Sequence, residues 1–114
     1  RPTATPLRIL DAPFTLKNQR EICDGSVRAG LLQIEVTGAD GEPLPGVRVL
    51  ITWQGGEDSF YTGLAPRISP GYADFMMETN VAYNLKVGEI SDAFKQVNSR
   101  PDCAWKVEFT QANN

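Results

Sequence analysis

Histidine does not occur in this 114-residue chain. Its absence removes the commonest general base, the usual partner of a nucleophilic serine or cysteine, and the commonest zinc ligand. Catalysis would have to rest on carboxylates or lysine alone. Cysteine is nearly as scarce: Cys23 and Cys103 stand about 80 residues apart and form no C-x-x-C pair. Two thiols without histidine make a poor metal site, and no other cofactor signature is present. No apolar run approaches the roughly 20 residues that span a bilayer. Clustered positive charge is missing too. The 11 Lys and Arg are scattered against 14 Asp and Glu, for a net charge of −3, whereas binding a phosphate backbone needs grouped cations. Neither a nucleic-acid partner nor a membrane span is expected.

What is present is an ordinary globular balance, with 41% hydrophobic and 22% charged residues in a length that suits one domain. The opening "RPTATP", residues 1–6, is Pro/Thr-rich and reads as a stiff linker remnant, leaving 7–114 as the single domain. A chain starting at Arg1 rather than Met reads as a processed product or a fragment of a longer protein.

The hydrophobic pattern has period 2, not 3.6. Leu32, Ile34 and Val36 share one face of a strand while Gln33 and Glu35 share the other. Val47, Val49, Ile51 and Trp53 repeat the pattern, as do Val81, Tyr83, Leu85 and Val87. Between the first two strands lies "DGEPLPG". Asp40-Gly41 supplies a tight turn, and Pro43 and Pro45 cannot donate ladder hydrogen bonds, so they keep the connection extended and out of the sheet. Phe60 to Gly63 and Tyr72 to Met77 give two further short strands. "DAFKQV" fits either one helical turn or a bent edge strand, and Leu7 to Ser26 fits one or two irregular extended pieces. The last strand places Cys103, Trp105, Val107 and Phe109 on one face. About seven strands with turn signals every 8 to 12 residues predict an all-β fold, an Ig-like or prealbumin-like antiparallel sandwich. A Cys23–Cys103 disulfide would close a loop worth roughly 4–5 kcal/mol in the chain-entropy model. By the parity of Cys103 it would lie in the core, between or beside the sheets. The alternative is two buried free thiols in a cytosolic protein. The extracellular look of the rest favours the bridge.

The passage "LLQIEVTGADGEPLPGVRVLITW" resembles the first hairpin of carboxypeptidase regulatory-like domains, within the transthyretin-like and collagen-adhesin B-type modules. Asp40, Gly41, Pro43, Leu44, Pro45, Gly46, Val47 and Val49 carry the signature. "AYNLKV" resembles a later strand of the same pattern, while an inserted loop at residues 65–70 departs from the usual short turn. The resemblance covers residues 31–88. It implies a noncatalytic sandwich module of a larger secreted or cell-surface protein, serving as spacer, stability element or adhesive unit.

Candidate contact residues are aromatic. Trp53, Tyr61 and Tyr72, with Trp105, would form a stacking platform for sugar rings if exposed together, whereas Trp53 and Trp105 also suit the ends of core faces. Tyr61 and Tyr72 flank the loop at residues 64–71 and are the better surface candidates. Glu57, Asp58, Asp40 and Asp74 are turn acids without the spacing of a calcium loop. Lys86 and Lys106 lie on polar faces, which disfavours a lysine–asparagine isopeptide crosslink in a dry core. The acids are too dispersed for a paired-carboxylate glycosidase. The expectation is therefore a structural or interaction module, not an enzyme, located outside the cell or on its surface. Its partners would be neighbouring domains of the same protein and a glycan or protein ligand, and a carbohydrate-binding module is the alternative.

Overall fold

The computed structural model describes residues 14–65, 67–88 and 94–112. The 1–6 segment, and residues 92–93 of "DAFKQV", lie outside them. Eight strands and no helix are found among the described residues: β1 (Phe14–Ile22), β2 (Leu31–Thr37), β3 (Arg48–Trp53), β4 (Gly56–Tyr61), β5 (Tyr72–Met76), β6 (Ala82–Val87), β7 (Phe94–Asn98) and β8 (Ala104–Gln111). They form two four-stranded sheets, ordered β1-β8-β2-β5 and β4-β3-β6-β7. All neighbours are antiparallel except β2 and β8, which run parallel with Ile34 beside Val107. The fold is an all-β sandwich, as the period-2 pattern requires.

Alternation explains the core. Leu32, Ile34 and Val36 from β2 and Val107 and Phe109 from β8 face Val49 and Ile51 from β3 and Leu85 and Val87 from β6. All nine are fully buried. Each such side chain contributes about 1.5–3 kcal/mol relative to exposure. Their neighbours in sequence, such as Gln33, Glu35, Asn84 and Lys86, point outward. The described part of "DAFKQV", residues 94–97, belongs to strand β7, which pairs with β6, Val97 opposite Tyr83.

The proline segment departs from the expectation in one respect. Asp40-Gly41 does turn the chain, with Gly41 at a φ of 87° and the Asp40 carboxylate accepting from the Glu42 amide at 3.0 Å. The segment is nevertheless stitched to the sheet: Thr37 bridges Pro43, and the Leu44 amide donates to the Val36 carbonyl at 3.0 Å. That same carbonyl lies against Gly71, where any Cβ would collide with it. Thr62 is buried and completes the stitch. Its hydroxyl donates to the Leu44 carbonyl at 2.6 Å and accepts from the Val47 amide at 3.0 Å.

Cys23 and Cys103 are bonded to each other. The bridge lies beside the sheets, one of the two expected places, with Cys103 buried. Asp102, at a φ of 65°, turns the chain just before β8, so Cys103 precedes the strand and Cys23 follows β1 on the exposed surface. The bond pins the end of the β1–β8 ladder, next to the Ile22–Ala104 pair.

Candidate functional site

The two sheets stack so that β4 lies along β5 on one flank, since Phe60 and Phe75 stack with centroids 6.1 Å apart and the Gly63 amide donates to the Tyr72 carbonyl at 3.1 Å. On this flank a groove of ≈ 200 Å³ is lined by Phe60, Tyr61, Leu64, Ala65, Tyr72, Ala73 and Asp74. Four large apolar side chains of the described residues are exposed, Leu64 at 79%, Ile68 at 61%, Tyr61 at 51% and Met76 at 45%, and of these Tyr61 and Leu64 line the groove.

The three aromatic candidates fall in two places. Tyr61 and Tyr72 line the one groove. Trp53 is half-buried on the inner face of β3, against Tyr83 at 5.4 Å and Phe75 at 5.8 Å between ring centroids. Tyr72 sits on the outer face of sheet β1-β8-β2-β5, opposite Glu35, and is only 5% exposed. Its hydroxyl donates to the Asp74 carboxylate at 2.9 Å and accepts from the Gln33 amide at 3.3 Å. Burial, then the hydrogen bond to Asp74 and the Asp74 and Glu35 charges, push its ionisation above the ordinary phenol value against an opposing hydrogen bond from Gln33. Around Ser69 the chain folds back on that face rather than projecting. The Ser69 hydroxyl donates to Glu35 at 2.7 Å and accepts from the Gly71 amide at 3.1 Å. A smaller hollow of ≈ 100 Å³ beneath it is lined by Gln33, Ile34, Glu35, Ile68, Tyr72 and Lys106.

Ladder alternation decides which backbone groups are free. The Val36 amide donates to Gly71 and the Met77 amide to Gly30, so residues 71, 73, 75 and 77 aim at β2. Tyr72, Asp74 and Met76 therefore aim away from it. Tyr72 is already engaged, through Gly63 and Ser69. Asp74 and Met76 face an edge with no neighbouring strand among the described residues. On β4 the same reasoning turns Glu57, Ser59 and Tyr61 outward, but the Ser59 amide is taken by the Asp58 carboxylate at 2.9 Å.

Metal-ligating groups do not meet in this groove. Among the described residues one cluster of three brings donor atoms together, Glu21 with Cys23 and Cys103, and its sulfurs are bonded to each other instead of being thiolates. No helix of the described residues is long and apolar enough to cross a membrane. Sequence reasoning missed Thr62, Asp74 as an edge residue, and the exposure of Leu64, Ile68 and Met76. Only Leu64 and Ile68 carried a signal, as large apolar side chains inside a proline-rich loop. Scans against family models, curated proteins and solved structures return no match.

Proposed function

We propose that this chain is a noncatalytic module of a larger secreted or cell-surface protein, and that its work is to present the β4–β5 flank to a partner. One observation carries the reading: Phe14 stands opposite Gln111, so the chain enters β1 and leaves β8 side by side at one end of the sandwich. An in-line spacer needs its two attachment points at opposite ends. A module attached at one end projects as a lobe, and here β5 is the strand of its sheet farthest from β1. Closely spaced ends are also what tolerance of domain insertion requires. The disulfide is compatible with an oxidising compartment, and the absence of histidine weighs against acid–base chemistry. The resemblance of residues 31–88 to carboxypeptidase regulatory-like and other transthyretin-like modules supports the same assignment.

Small-angle scattering from the chain carrying one compact fusion domain at each terminus tests it. The two fusion domains are expected side by side. An in-line arrangement, longer by roughly 30 Å for a nine-residue strand, would overturn the reading.

A further inference from the structure

We infer that the free edge of β5 is a strand-addition site for an extended peptide in which a basic residue alternates with apolar ones. The inference rests on the presentation reading and names its partner. An edge strand with unpaired main-chain groups is a template for another strand. Asp74 and Met76 present such groups, whereas β4 alongside is partly blocked by its own Asp58. A peptide strand adding here has one residue directly opposite Asp74, on the outer face of the sheet. The residues flanking it then point the other way, toward Ala73 and Phe60 in the groove.

Charge and volume narrow the occupant. Asp74 is exposed, and neither it nor Glu57 and Asp58 on the adjoining strand has a cation partner among the described residues, whose one ion pair is Arg100–Glu21. Opposite charges across a strand pair attract and like charges repel. A lysine or arginine therefore suits the position facing Asp74. A second copy of this chain does not, because antiparallel pairing of two β5 edges about their centre sets Asp74 against Asp74. The groove, at ≈ 200 Å³, falls below the roughly 300–1,000 Å³ of small-molecule pockets and suits a single apolar side chain.

The test uses the full chain, ¹⁵N-labelled, and an acetylated, amidated hexapeptide of alternating valine and lysine. Amide exchange at Asp74 and Met76 is expected to slow about ten-fold when nine-tenths of the sites are filled. Asp74→Lys should weaken binding about five-fold and strengthen binding of the valine–glutamate counterpart by a similar factor. Met76→Pro, tolerated on an edge but lacking the donor, should weaken it about ten-fold. Near-UV circular dichroism of the Trp53 cluster checks that both variants are folded. Equal binding of the lysine and glutamate peptides would overturn the inference, as would perturbation without slowing at Asp74 and Met76. Slow exchange at those amides that rises with protein concentration in the free chain would assign the edge to a second copy, and so overturn it as well. Such a failure beside a side-by-side scattering profile removes the peptide and leaves the presentation reading standing.

Discussion

Where β1 ends and β8 begins, at the end of their ladder opposite to Phe14 and Gln111, a covalent bond joins Cys23 to Cys103, and a two-pronged ion pair ties Glu21 to Arg100 just beyond β7. Where β4 runs along β5, ring packing and one backbone hydrogen bond from Gly63 to Tyr72 hold the layers. Both flanks face the same problem, because a sandwich leaves four edges and each edge is a hazard. The first flank carries directional links on the strands through which the chain enters and leaves, a disulfide between neighbouring strands of one sheet and an exposed ion pair from β1 to the residue after β7. The second keeps its apolar side chains exposed and part of its backbone unpaired. That asymmetry separates anchoring from contact, and mutations on the two flanks should therefore differ in kind.

The largest effect is expected at the anchored flank. Replacing Cys23 and Cys103 together by serine releases a loop of sequence separation 80. The cost should be about 3–4 kcal/mol, seen as a fall in the thermal midpoint of at least ~12 °C. Amides of Arg20 and Ile22 in β1, which pair with Lys106 and Ala104, should exchange faster, while those of β5 on the other flank keep their rates. Uniform acceleration across both sheets would show that the flanks are not energetically separate.

Phe75→Ala probes the opposite flank. Phe75 is half-buried yet touches Trp53, Phe60 and Tyr83 with centroids 5.6–6.1 Å away, so its loss opens a cavity between the layers. A destabilisation of about 2–3 kcal/mol is expected in urea unfolding, below that of the disulfide. A larger cost than the double serine variant would reverse the ranking, and make ring packing the stronger closure.

How much of this was legible follows from where each strand lies. β2, β3, β6 and β8 sit inside their sheets with one face covered, so their alternation transmits directly into sequence. β1 is an edge strand with a register shift between Leu16 and Asn18. Beyond it Gln19 pairs with Val107 and Glu21 with Trp105, polar residues at core-facing positions that the uncovered edge tolerates. That breaks the rhythm and hides the strand. The disulfide partners were legible, as was the burial of Cys103; the exposure of Cys23 was not, because the turn at Asp102 sets the bridge before β8 rather than within it. Tyr61 and Tyr72 could be placed beside the loop, but the burial of Tyr72 depends on Gln33 and Ser69, which are distant in sequence. The open edge of β5 depends on strand order. That order is set by the parallel pairing of β2 with β8, a contact that no local pattern encodes.

The smallest expected effect concerns the ion pair, and it is best read through pH. The hydrogen bond from Arg100, aided by its charge, holds the Glu21 carboxyl below its ordinary value of 4.5 despite a little opposing burial. A carboxyl with a depressed folded value binds more protons when unfolded. Its stabilisation is therefore complete above about pH 4.5 and drains away as pH falls through the folded value. Glu21→Gln should leave stability at neutral pH almost unchanged, because exposed ion pairs are screened, and should flatten the acid limb of the stability curve. The limb should not vanish, since Asp24, in the same region, is also depressed by its hydrogen bonds from Ser26. Thermal midpoints of the two proteins between pH 6 and 3 make the comparison. Parallel curves would mean that Glu21 and Arg100 meet without coupling, and that the disulfide alone distinguishes the anchored flank from the open one.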